Sequence, residues 1–164
     1  NGLLHPILVP AHLLLLLAVG LFWGQQREGT ILPLLTGFTL AAVAGLAMAW
    51  FSIGNEFENL ILFIAASIGL LVAINPQIPF SVVIFSTLLA GLLLGIDSAQ
   101  DQLSGKDKLF TFFGNAVGIY MLVLYPMAVA EWAYRKSWQK IGVRIVGSWI
   151  AASSLLVLAL KFAG

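Results

Sequence analysis

Charged residues interrupt this chain so rarely that the stretches between them are long enough to cross a lipid bilayer. The hydrocarbon core of a bilayer is about 30 Å thick, and about 20 apolar residues in a helix cross it. In lipid every backbone polar group must be satisfied internally, which favours helices. Cutting the sequence at its charge and turn clusters gives six spans. The first runs from Pro10 to Trp23, with Leu3 to Val9 as an extra turn or two, and ends at Gly24-Gln25-Gln26-Arg27-Glu28. The second runs from Ile31 to Ile53, the third from Leu60 to Ile74 and the fourth from Phe80 to Ile96. The fifth runs from Leu109 to Trp132 and the sixth from Val143 to Leu160. The reading is all-α: a polytopic transmembrane helix bundle of six spans, with residues 1–164 as a single domain.

Composition excludes the alternatives. Hydrophobic residues make up 60% of the chain and charged ones 9%, against about 25% charged in a soluble domain. Eight basic and seven acidic side chains cannot cover a soluble surface of this size. Disorder needs low hydrophobicity and is excluded as well. A net charge of +1 gives no electrostatic case for nucleic acid. Cysteine is absent, which removes disulfides and thiolate metal sites. No Gly-rich phosphate loop, His-Glu-x-x-His or nucleophile elbow is present, so the chain is not read as an enzyme. Both histidines fall on one segment, which disfavours a bis-histidine haem, and no span holds a mid-span lysine for a Schiff base.

Short-loop lysines and arginines set the orientation. The side holding loops one–two, three–four and five–six carries Arg27, Arg135, Lys136, Lys140 and Arg144, against Lys106, Lys108 and Lys161 opposite. The basic side is expected in the cytoplasm and both termini outside it, in a bacterial inner or thylakoid-type membrane. An outward N-terminus suits removal of an upstream signal peptide. Trp23, Trp50, Trp132, Trp138 and Trp149 lie mostly near span ends, where interfacial tryptophans belong. Glycine pairs at spacing four, Gly20/Gly24, Gly91/Gly95 and Gly114/Gly118, suit close helix packing.

Ionisable groups near bilayer depth are the informative ones. His5, His12, Asp97, Asp101, Glu56, Glu58 and Asp107 share the outer face. His5 and His12 lie two turns apart, about 10 Å along a straight helix, so a shared metal ion requires a bend, for which Pro6 and Pro10 provide. The bland alternative makes His5 an interfacial loop residue and His12 a hydrogen-bonded bundle histidine. Asp97 and Asp101 are four apart, and two like charges there call for a cation, a proton or a basic partner. Their bland alternative is hydration at a helix exit. Oxygen and imidazole ligands together suit divalent nickel, cobalt or zinc. Glu131 and Arg135 are an i, i+4 pair, and Asn115 must find a partner inside the fifth span.

The first span, with His5-Pro6, His12 and Ala18-Val19-Gly20-Leu21, resembles the HupE/UreJ family of six-span membrane proteins. Ile64-Ala65-Ala66-Ser67 is similar to the family's third-span Ile-Ala-x-Ser. Arg144-Ile145-Val146-Gly147-Ser148-Trp149-Ile150-Ala151 is similar to its closing Arg-x-x-Gly-x-x-Ile-Ala. In the fourth-span motif Gly95 matches and Asp101 keeps a carboxylate in place of Glu, while Leu94 and Ser98 replace the family's histidines. Ala11 stands where the family has Asp before the second histidine. The resemblance implies nickel or cobalt uptake. The expected site is His5, His12, Asp97 and Asp101, with His12 as imidazole ligand, Asp101 in the place of the family's Glu, and Asp97 adding charge. The rival expectation is a non-transporting accessory subunit that packs against partner membrane subunits.

Overall fold

The protein's structure, a computed structural model, describes residues 5–26, 30–49, 57–75, 78–98 and 106–163. A short helix α1 (His5–Leu8) precedes six longer ones: α2 (Pro10–Gly24), α3 (Ile31–Ala49), α4 (Glu58–Ile74), α5 (Phe80–Asp97), α6 (Lys106–Ala133) and α7 (Ser137–Ala163). Within the described residues they coincide with the six expected spans, and the last two extend beyond the apolar runs that announce them; the end of the second span, residues 50–53 with Trp50, lies outside the described residues.

Proline sets the first boundary. Pro10 has no N–H to donate and occupies the first turn of α2, where none is needed. Val9 before it is extended at φ −94° and ψ 107°, so α1 and α2 are separate helices. α4 closes on Asn75, whose left-handed backbone (φ 50°, ψ 52°) lets its N–H reach the Leu71 carbonyl at 2.8 Å. α5 starts directly after Pro79.

α2 is the central helix. It buries Ala11, Leu15, Ala18, Leu21 and Phe22, which point to different sides of the cylinder, so it is wrapped by its neighbours. The outer helices do the reverse. Leu32 and Leu40 on α3, Phe63 on α4, Phe85 on α5, Tyr125 on α6 and Trp149 and Leu156 on α7 stand exposed. A coat of this kind is stable only against lipid. Among the described residues four helices, α3, α5, α6 and α7, are long and apolar enough to cross a membrane. α2 and α4 are shorter apolar helices of 15 and 17 residues. The molecule is a helical membrane bundle and an integral membrane protein.

Helix pairs meet along glycine seams. A Cβ at Gly20 or Gly24 would collide with the carbonyls of Val123 or Met127, so α2 lies against α6 at backbone distance. Gly91 and Gly95 do the same for α5 against Phe38 and Ala42 on α3, and Gly69 and Gly147 join α4 to α7. In lipid such close approach supplies the attraction that the hydrophobic effect cannot. α2 also packs on α4, which links two of these pairs. The α3–α5 pair meets the other four helices more sparingly, mainly from α5 to α2 and α4. At the far end of α7, Lys161 forms an ion pair with Glu58 of α4.

Candidate functional site

α2 and α5 run in opposite directions, so the start of one meets the end of the other. His12 is the third residue of α2 and Asp97 the last of α5. Their side chains meet, with Nε2 of His12 at 2.7 Å from Oδ2 of Asp97. His12 is 1% exposed and the Asp97 side chain 16%, so the pair sits inside the bundle with the carboxylate turned towards its opening. A polar pair at this depth is stable because each group satisfies the other. Ser98, which caps α5, is buried beside it.

Of the four expected site residues the structure therefore brings two together. The side chain of His5 and the whole of Asp101 lie outside the described residues, as do Glu56 and the side chains of Asp107 and Asn115. The expected bend between the histidines is present at Val9. Among the described residues no three His, Cys, Asp or Glu side chains come together. Glu131 and Arg135 are exposed at the end of α6.

Going inward along α2, His12, Leu16, Val19 and Trp23 share one face, because eleven residues make almost three whole turns. Leu16 and Val19 are fully buried. Trp23 donates its Nε1–H to Oγ1 of Thr87 on α5 at 3.0 Å. It also meets the Phe38 ring of α3 edge-on, with centroids 5.7 Å apart at 86°. Trp23 is thus not at the lipid interface, as its place near a span end suggests. It is 1% exposed, whereas Trp132, Trp138 and Trp149 are indeed exposed. The signal that finds it is its spacing from His12.

Beyond Trp23 the bundle opens into a cavity of about 680 Å³ at the opposite end from the pair. Gln25, Gln26, Thr30, Asn75 and Tyr134 provide its polar lining, and Phe22 and Phe80 part of its apolar wall. The amides of Gln25 and Gln26 donate to the carbonyls of Val72 and Phe22. No described residue of the lining is ionised. Lys140 stands over the Tyr134 ring, 5.3 Å from its centroid, and Arg144 donates to the Ala73 carbonyl at 2.7 Å. Burial pushes the Tyr134 phenol above the usual tyrosine range, while the Arg144 charge and the neighbouring Asn75 pull it down. A smaller, mostly apolar cavity of about 150 Å³ lies between α3, α5 and α6, below Ser98 and beside the Thr39–Tyr120 hydrogen bond.

A lipid-coated bundle with a buried histidine–carboxylate pair at one mouth and a polar cavity at the other is a polytopic membrane protein. The family model described as HupE / UreJ protein matches residues 1–157, and the chain belongs to the HupE/UreJ family. No curated protein and no solved structure matches it. Three residues that carry the family pattern, Gly20, Gly95 and Gly147, fall one in each of the three glycine seams.

Proposed function

We propose that this protein is a permease for a divalent cation of the nickel and cobalt class, with His12 and Asp97 as its entry site. The family is known for membrane proteins related to nickel and cobalt transport, which motivates the cargo. The observation that carries the site is the 2.7 Å contact between His12 and Asp97, two residues from helices far apart in sequence. An imidazole nitrogen and a carboxylate oxygen are the donors that borderline divalent metals take. Bond lengths near 2 Å with a right angle at the ion put two such donors about 3 Å apart, so a slight widening admits it. The hydrogen that bridges the pair then moves off Nε2, to Nδ1 of a neutral imidazole or to water from an imidazolium. Two donors leave the coordination shell incomplete, and His5, Asp101 and water are the candidates to complete it.

Binding of Ni²⁺ or Co²⁺ to the purified protein, read by calorimetry, is the test. His12→Ala and Asp97→Asn each abolish it, and both variants remain folded by circular dichroism. His5→Ala and Asp101→Asn weaken it if those residues complete the shell. Binding unaffected by both His12→Ala and Asp97→Asn sinks the assignment.

One observation favours the rival reading as an accessory subunit. Leu94, where the family carries a histidine, is 1% exposed and part of the apolar core. Packing has taken over that position. Absence of metal binding, with partner membrane subunits co-purifying, decides for this second reading.

A further inference from the structure

The pair at one end, the aromatic contact in the middle and the cavity at the other end lie along the same helix. We propose that the cavity is the inward half of a translocation path, and that the Trp23 side chain is the barrier that closes it off from His12 and Asp97. For its cargo this rests on the reading above; the barrier itself does not.

Trp23 shares a face of α2 with His12, and Phe22 and Gln25, one and two residues from it in the chain, line the cavity beyond it. It is held on both sides: Thr87 accepts its N–H and Phe38 meets its ring. Leu16 and Val19 fill the stretch between Trp23 and His12 with no polar atom for an ion to touch. The shortness of α2 explains why space opens beyond it. Fifteen residues span about 22 Å, some 8 Å less than the hydrocarbon core, and the cavity lies at the C-terminal end.

The two ends differ in chemistry. At the pair, nitrogen and a carboxylate offer direct ligation to a divalent cation. Among the described residues of the cavity, amides and hydroxyls offer only hydrogen bonds to its water shell, and Lys140 and Arg144 beside Tyr134 repel it. The cavity therefore holds a hydrated cation weakly and releases it. The barrier also lies where the α3–α5 pair meets the other helices, since Thr87 and Phe38 belong to that pair and Trp23 does not. Separation along this joint withdraws both partners of Trp23 at once.

The chain has no cysteine, so single cysteines report accessibility without background. The protein is reconstituted in phosphatidylethanolamine–phosphatidylglycerol vesicles and treated with a membrane-impermeant maleimide from each side, with Arg135→Cys marking the basic side. Gln25→Cys reacts from the Arg135 side only. Val19→Cys, on the far side of Trp23, reacts from neither. Combining Val19→Cys with Trp23→Ala, or with Trp23→Phe where the alanine variant fails to fold, opens it to reagent from the Arg135 side. The labelling rate rises about fivefold, the factor expected when the closed state loses one hydrogen bond worth about 1 kcal/mol. Silence of Gln25→Cys, its reaction from the other side, labelling of Val19→Cys with Trp23 intact, or continued silence in the Trp23 variants overturns the barrier. These readings need no metal. Co²⁺ flux into the same vesicles is measured separately: Trp23→Phe raises it if Co²⁺ is cargo, and its absence from every variant sinks the cargo while labelling still decides the barrier.

Discussion

At the scale of the residue, His12 and Asp97 invite a proton count. Under the proposed function a cation replaces the bridging hydrogen, and calorimetry in buffers of different ionisation enthalpy counts the protons released per ion: none for a tautomer shift to Nδ1, about one for an imidazolium. Asp97→Asn keeps a hydrogen-bonding side chain but removes the charge, and should lose the affinity. Trp23 is a different kind of residue, a large buried side chain with one polar atom. Trp23→Ala should cost about 3–5 kcal/mol, and Thr87→Val about 1–3 kcal/mol because it orphans a buried indole N–H. Chemical denaturation in detergent separates the two. Tyr134 gives the pH dependence. Its phenol is raised mainly by burial, so the stability it contributes is complete below the ordinary tyrosine range and is lost as pH climbs through its raised value. Tyr134→Phe should flatten the alkaline limb of a stability–pH curve and leave the neutral region unchanged.

At the scale of the element, the six long helices were legible because lipid imposes one rule on the backbone, and a run such as Phe80 to Ile96 has no other way to satisfy it. The break before α2 was legible in Pro10 for the same reason, a missing N–H. The site was half legible. His12 and Asp97 stand out as ionisable groups at helix ends, but their contact needs α2 and α5 to be neighbours, and span order alone does not say which helices touch. The seams say so. Gly20 and Gly95 lie where a neighbouring backbone passes, and Gly20→Leu or Gly95→Leu should drive α6 or α3 away. Either change should lower the melting temperature more than Gly142→Leu, since a Cβ at Gly142 meets nothing. Trp23 was the residue that position misread. Its closeness to a span end points to the interface, while the rotation it shares with His12 points to the core, and in a helix wrapped on all sides rotation and neighbours outweigh depth.

At the scale of the whole molecule, three glycine-seamed pairs are joined unequally. α2–α6 and α4–α7 are tied together by α2 on α4, while the α3–α5 pair is held by particular side chains: His12–Asp97, Trp23–Thr87, Trp23–Phe38 and the Thr39–Tyr120 hydrogen bond. Removing these links singly should loosen that pair before the bundle melts. Tyr120→Phe should speed hydrogen exchange in α3 and α5 more than in α4 and α7. The brevity of α2 carries a last consequence. A membrane voltage falls only across the layer that water does not enter. If water fills the cavity, that layer is about the eleven-residue rise from His12 to Trp23, some 16 Å, or about half the usual hydrocarbon thickness. The electric field there is about twice that across an ordinary span. Under the proposed function, a doubly charged ion moving down the membrane potential across this layer gains about 5 kcal/mol per 100 mV.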